Sequence, residues 1–197
     1  MRLLVTGCGR SGTMWTAAAL SSAGIDCGHE RAFTPGYPDR PARWGTGWWT
    51  AEVSGHAAPF TPLPDTYVVR LVRHPIDVVT SIIHRRKRGQ FGRDERAREF
   101  IEKHAPGVTS IEDPIERAAT YWVRWNRLVV ADETLRLEDI DQQTVIRLAR
   151  IINDQASLTT LPPRLNRTRR AVQPIRWRDI KHVPGLVDAM REYGYKT

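Results

Sequence analysis

The sequence predicts an α/β fold, a three-layer sandwich around a mostly parallel sheet. Three observations carry this. A short apolar run, Leu3 to Thr6, leads straight into a glycine-rich turn and an alanine-rich helix. A second run, Thr66 to Val72, is β-branched and continuous in apolar character, as a strand buried on both faces should be. Such runs alternate with helical segments along the chain, which is the pattern of helices packed on both sides of a sheet.

The elements follow in order. Gly7, Gly9 and Gly12 allow a tight turn after the first strand, and Thr16 to Ala23 continues a helix closed by Gly24. Phe33 to Pro64 is dense in Pro, Gly and Trp without periodicity and reads as a long functional loop. There Trp44, Trp48 and Trp49 either line an acceptor pocket or pack on the sheet. After the Thr66 to Val72 strand, Pro75 and Asp77 open a helix. Gly92 to His104 reads as a charged, solvated helix. Asp113-Pro114-Ile115-Glu116 combines a cap, a first-turn proline and a capping-box acid, and starts a helix to about Ala131 with Trp122 and Trp125 near its buried side. Thr134 to Leu137 is a strand, Ile140 to Asn153 an amphipathic helix, and Pro184 to Tyr193 a closing helix. The Pro- and Arg-rich stretch Ser157 to Trp177 reads as a cover for a ligand site.

Composition is that of a compact chain. At 197 residues one domain spanning 1–197 is expected, and 41% hydrophobic with 26% charged residues is what ordinary globular chains have. The chain starts on a strand rather than a charged leader, and no apolar stretch is long enough to cross a bilayer, so a cytoplasmic protein is expected. Two cysteines, Cys8 and Cys27, make no disulfide framework and read as reduced and unreactive. The net charge of +8 and pI near 10.1 raise a nucleic-acid reading. The densest run, His84 to Arg88, falls at a helix end where cations complement the dipole, and a polyanionic cofactor accounts for part of the excess. An anionic acceptor such as an acidic glycan would account for more.

The functional signal is a pair of anion sites. Gly7 to Gly12 fits the dinucleotide pattern G-x-G-x-x-G, with Glu30 18 residues beyond Gly12 where a ribose-binding acid belongs. Gly7 to Thr13 also fits G-x-x-x-x-G-K-S/T except for the lysine, and supplies Arg10 within the turn instead. A plain tight turn is the alternative to both. Arg73 leaves the C-terminal end of the Thr66 to Val72 strand, with Ser81 two turns into the next helix. Ligands of open α/β sheets bind beyond the strand C-termini, so Arg73 and Ser81 make a second anion site on the same edge. Two phosphate sites imply a ligand phosphorylated at two places.

These segments resemble the sulfotransferase family. Gly9 to Trp15 is similar to its 5′-phosphosulfate loop, K/R-S-G-T-T-W, and Arg73 to Ser81 to its 3′-phosphate motif, R-x-P-x-D-x-x-x-S. Leu135 to Ile140 resembles R/Y-Y-E-D-L, and Tyr193-Gly194-Tyr195 the closing L-G-Y. The resemblance implies the P-loop NTPase-like sulfotransferase fold and the cofactor 3′-phosphoadenosine-5′-phosphosulfate (PAPS; product PAP). It implies that Arg10 contacts the 5′-phosphosulfate, that Ser11, Gly12 and Thr13 donate to the 5′-phosphate, that Trp15 stacks on adenine, and that Arg73 and Ser81 hold the 3′-phosphate. A C-terminal arginine completes that last site in the family; Arg164, Arg167, Arg169 and Arg170 are candidates here. Met14 stands where the family has a second threonine, and Leu137 where an adenine-contacting tyrosine is common.

Transfer to a hydroxyl or amine needs a general base. Cys27-Gly28-His29-Glu30-Arg31 resembles the C-G-E-E-T-R segment of tyrosylprotein sulfotransferases, which makes Glu30 the base. Ser54 to Pro59 resembles the K-T-H-L-P segment of cytosolic sulfotransferases, which makes it His56. The sulfuryl group carries less charge than a phosphoryl group, so no metal is required. His29, His74 and His84 read as structural or solvated. A P-loop nucleotide kinase and a non-catalytic nucleotide or nucleic-acid binder are the alternatives. The acceptor, a small molecule or glycan, and the oligomeric state are not encoded in any motif.

Overall fold

The computed structural model describes residues 1–33, 44, 50–84, 95–163 and 174–196. Among them, β1 (Arg2–Thr6), β2 (Cys27–His29), β3 (Ala51–Val53), β4 (Thr66–Val72) and β5 (Glu133–Arg136) form one five-stranded sheet in the order β2-β3-β1-β4-β5. Every pairing is parallel. The helices are α1 (Thr13–Ser22), α2 (Pro75–His84), α3 (Glu95–His104), α4 (Pro114–Arg127), α5 (Gln142–Arg150), α6 (Trp177–Ile180) and α7 (Leu186–Glu192), with 3-10 segments at Gly55–Phe60 and Leu137–Asp139. None of the described helices is long and apolar enough to cross a membrane.

Strand alternation makes the layers. On one face Leu3, Val5, Val69 and Leu71 meet Trp15 and Leu20 of α1 and Val145 and Leu148 of α5. On the other, Val68 and Val72 meet Val78 and Val79 of α2, Trp122 of α4, and Ile180, Leu186 and Met190 near the C-terminus. Leu4, on that second face, packs with Ala32, Phe33, Trp44 and Ala57. The expected three layers are present, and the sheet is all parallel.

Local chemistry sets the helix starts. Asp113 accepts hydrogen bonds from the amides of Ile115 and Glu116, both at 2.8 Å, and Pro114 follows as the expected first helical residue. Asp141 caps α5 through the Thr144 amide and hydroxyl. By contrast α1 starts at Gly12, in the left-handed region (φ 95°), with no side-chain cap.

Three expectations need correction. The Phe33 to Pro64 stretch contains β3 and a 3-10 segment rather than an unbroken loop. The helix opened by Asp113 stops at Arg127, short of Ala131, because the chain must turn to bring Asp132 to the sheet, where its amide donates to Val68 O and its carboxylate accepts from Val68 N. The segment ending at His104 is not merely solvated: Ala97 and Ile101 of α3 are buried, and Phe100 packs at 5.8 Å on Trp125.

At Gly7 the loop after β1 backs closely onto β4: a Cβ there would lie 2.1 Å from the carbonyl oxygen of Leu71. Gly7→Ala should therefore destabilise the fold by about 1–3 kcal/mol, as overpacking against rigid backbone does. Urea unfolding of the variant beside the parent measures it.

Candidate active site

Each strand ends at one part of the site. The glycine loop leaves β1, Glu30 leaves β2, His56 follows β3, Arg73 leaves β4, and Leu137 and Glu138 leave β5. A parallel sheet delivers all five to one edge, and β1 lies between β3 and β4, next to the point where the connections go to opposite faces, which is where open α/β sheets bind ligands.

In the glycine loop the amides of Cys8 and Gly9 are engaged by α4: Cys8 N donates to Asn126 Oδ1 at 2.8 Å and Gly9 N to the Tyr121 hydroxyl at 3.3 Å. The amides of Gly12 and Thr13 open α1, where no intrahelical acceptor exists. Ser11 is fully buried, and its Oγ has no hydrogen-bond partner among the described residues. An unsatisfied buried hydroxyl beside helix-opening amides suits an anion. The room is limited, since a Cβ at Gly12 would lie 2.6 Å from Leu137 Cδ2. Thr13 Oγ1 lies 3.1 Å from His29 Nε2.

The cations expected at two separate phosphates lie side by side. Arg10 takes a left-handed conformation (φ 74°) and its Nε donates to Ser81 Oγ at 2.9 Å. Arg73 donates to the Arg10 carbonyl at 3.4 Å and pairs with Asp77 at 3.4 Å. Its own carbonyl accepts from Trp122 Nε1 at 2.9 Å, which fixes the end of β4. The two segments expected to hold anions are thus joined directly, through Arg10 and Ser81 and through Arg73 and the Arg10 carbonyl. Glu138, in the strand-end motif after β5, accepts from the His74 amide at 2.8 Å and from the Tyr195 hydroxyl at 2.9 Å, so it ties the closing motif to the start of α2.

The rival bases are neighbours. Glu30 Oε1 lies 3.5 Å from His56 Nδ1. Burial pushes the Glu30 carboxyl above its ordinary pKa, and the positive charge of Arg10 partly opposes this. Burial lowers His29. Glu30, like Arg10, is left-handed (φ 54°). Of three non-glycine residues with positive φ among the described ones, two are therefore candidate site residues, and such strain collects where side chains must be aimed.

Sequence reading passed over three residues here. Glu52 on β3 is fully buried, and its Oε1 accepts from the amides of Arg31 (2.7 Å) and Ala32 (3.2 Å), the two residues after Glu30. Its pKa is pushed up to about 7, chiefly by burial, against those hydrogen bonds and the Arg31 charge, which lower it. Tyr121 and Asn126 hold the glycine loop as described. A signal existed for both carboxylate and amide: Glu52 sits between apolar residues of one strand, and Asn126 falls one turn after Trp122 on the buried stripe of α4, where a polar group needs a partner.

Other expectations land variously. Trp15 is 5% exposed, and its Nε1 donates to Pro162 O at 2.9 Å. Trp44 packs rather than lining an open pocket: it is 1% exposed, touches Phe33 and donates to Thr66 Oγ1. Trp48, Trp49, Arg164, Arg167, Arg169, Arg170 and the Arg85 to Arg88 run lie outside the described residues. Cys8 and Cys27 are free and buried; burial raises both thiols, Cys27 to about 12. Such thiols are poor nucleophiles. Among the described residues no group of three or more His, Cys, Asp or Glu is arranged to hold a metal ion.

No family model matches the chain, and neither a curated protein nor a solved structure does.

Glu52 ties stability to pH. Its native pKa of about 7 exceeds the ordinary 4.5, so the folded chain holds a proton that the unfolded chain has released. That contribution is complete below the ordinary value and is lost as pH rises towards 7. The unfolding free energy of the parent relative to Glu52→Gln should fall between about pH 4.5 and 7 and level off above, as denaturant titrations across that range would record.

Proposed function

We propose that this chain is a sulfotransferase that moves a sulfuryl group from PAPS to a hydroxyl or amine acceptor. The observation that carries the reading is the meeting, at one sheet edge, of a glycine loop holding the buried unpartnered Ser11 hydroxyl, two arginines, and a carboxylate–imidazole pair. The donor set fits a nucleotide phosphorylated at two positions. Ser11 Oγ and the amides of Gly12 and Thr13 would receive the 5′-phosphate, and Arg73 and Ser81 the 3′-phosphate. Trp15, close to the start of α1, would face the adenine. The fold is then the sulfotransferase variant of the P-loop architecture, and free buried thiols at Cys8 and Cys27 suit a reducing, cytoplasmic setting.

The donor supplies a sulfuryl group carried on a phosphate leaving group. The acceptor oxygen bonds to sulfur as the bond from sulfur to the phosphate oxygen breaks, in line. Arg10 meets the charge left on that oxygen. The acceptor proton passes to the Glu30–His56 pair. Burial makes the Glu30 carboxyl a stronger base than an exposed one, and it would stand on the acceptor side, opposite the leaving oxygen that Arg10 meets. His56, 3.5 Å away, would help to hold the proton.

A melting-shift panel tests the ligand. PAP should raise the melting temperature, whereas ATP with magnesium or NAD should do much less; a larger shift with ATP would favour a nucleotide kinase instead. Arg73→Ala should weaken PAP binding by about 1.5–3 kcal/mol in calorimetry. With radiolabelled donor and a panel of phenols, amines and glycans, Glu30→Gln should lower turnover by about 10²–10⁴-fold while PAP affinity holds.

A further inference from the structure

We propose that Glu52 is a positioning residue: through Oε1 it grips the two amides that follow Glu30 and so holds the Glu30 carboxylate against the His56 imidazole. The inference deepens the reading of Glu30 and His56 as a catalytic pair, and it stands on contacts that exist whatever the pair does.

The turn at Glu30 needs an anchor. A glutamate in the left-handed region is strained, and strain persists only where the surroundings over-determine it. Here β3 does so from two sides. The Glu30 amide donates to Val53 O at 3.3 Å, and the next two amides, of Arg31 and Ala32, both donate to Glu52 Oε1. Three successive N–H groups are therefore tied to two adjacent residues of one strand, and the peptide at Glu30 has little freedom left.

The neighbouring strand is shaped for this carboxyl. Gly28 of β2 pairs with Glu52 in the sheet register, and a Cβ on Gly28 would lie 2.0 Å from Glu52 Oε2. The missing methyl is the space that Oε2 occupies, and Oε2 has no hydrogen-bond partner among the described residues. Its sheet neighbour on the other side, Leu4, belongs to an apolar cluster with Ala32, Phe33, Trp44 and Ala57. For packing alone an apolar side chain would serve better there, since a buried carboxyl is costly. The grip on the turn is what only an acceptor can provide.

The test reads the coupling between Glu30 and His56 by following the His56 imidazole titration by nuclear magnetic resonance on the full chain. In the parent background, Glu30→Gln removes a carboxylate 3.5 Å from Nδ1 and should lower the protonation constant of His56 by roughly threefold or more. With Glu52→Gln, whose amide oxygen still accepts from Arg31 and Ala32, the same Glu30→Gln change should have a similar effect. With Glu52→Leu, which fills the space without an acceptor, it should fall to less than about half of the parent response. Equal responses in all three backgrounds would overturn the proposal. Should Glu52→Leu not fold, amide hydrogen exchange on the parent decides: the Arg31 and Ala32 amides should be protected about a hundredfold over free-chain rates, and free-chain exchange would overturn it. Failure of PAP to stabilise the parent would count against the sulfotransferase reading alone and leave both measurements in force.

Discussion

Four side chains of α4 tie the loops at the sheet edge together. Tyr121 and Asn126 accept from the amides of Gly9 and Cys8, Trp122 donates to the carbonyl of Arg73, and Trp125 donates to the carbonyl of Gly55 at 2.8 Å. These residues occupy i, i+1, i+4 and i+5 and so share one side of the helix. Through them one rigid element fixes the loops after β1, β3 and β4. The backbone groups concerned would otherwise be buried without partners, at about 1–3 kcal/mol each. The indole rings also fill the layer between helix and sheet, so one set of residues provides both packing and polar satisfaction.

Around that helix the site is assembled from strand ends, and strain is placed where it aims a side chain. Arg10 and Glu30 are both left-handed, and both are ionisable groups beyond the strand ends. The Arg10 turn is held by the α4 contacts to the preceding amides and by the Arg73 bond to its carbonyl. The Glu30 turn is held by β3. Each charged group thus has an anchor of its own in the sheet layer or beside it.

Much of this was legible in the residues, and the reasons differ by element. β1 and β4 announce themselves because central parallel strands are apolar runs, and the cap at Asp113 names its helix through chemistry that acts over three residues. β2 and β3 did not, being three residues each, with Gly28, His29 and Glu52 interrupting the apolar pattern for reasons that lie in tertiary contacts. Arg10, Arg73 and Ser81 stood out from the turn and strand-end pattern, Glu30 and His56 as bases only through a resemblance of short segments. Their relations were not readable: that Glu30 and His56 face each other, or that Arg10 reaches Ser81, depends on the strand order β2-β3-β1-β4-β5, which no local pattern encodes. The hold exerted by α4 was hidden for the same reason, although an asparagine on a buried stripe was a visible irregularity.

Cys8 sits at the root of the glycine loop, its thiol fully enclosed and its amide bonded to Asn126. An alkylating reagent reaches that sulfur only when the loop lifts from the helix beneath it. The chain therefore carries a built-in chemical clock: the speed at which Cys8 is modified meters how often the glycine turn comes away from its support, with no engineered cysteine needed.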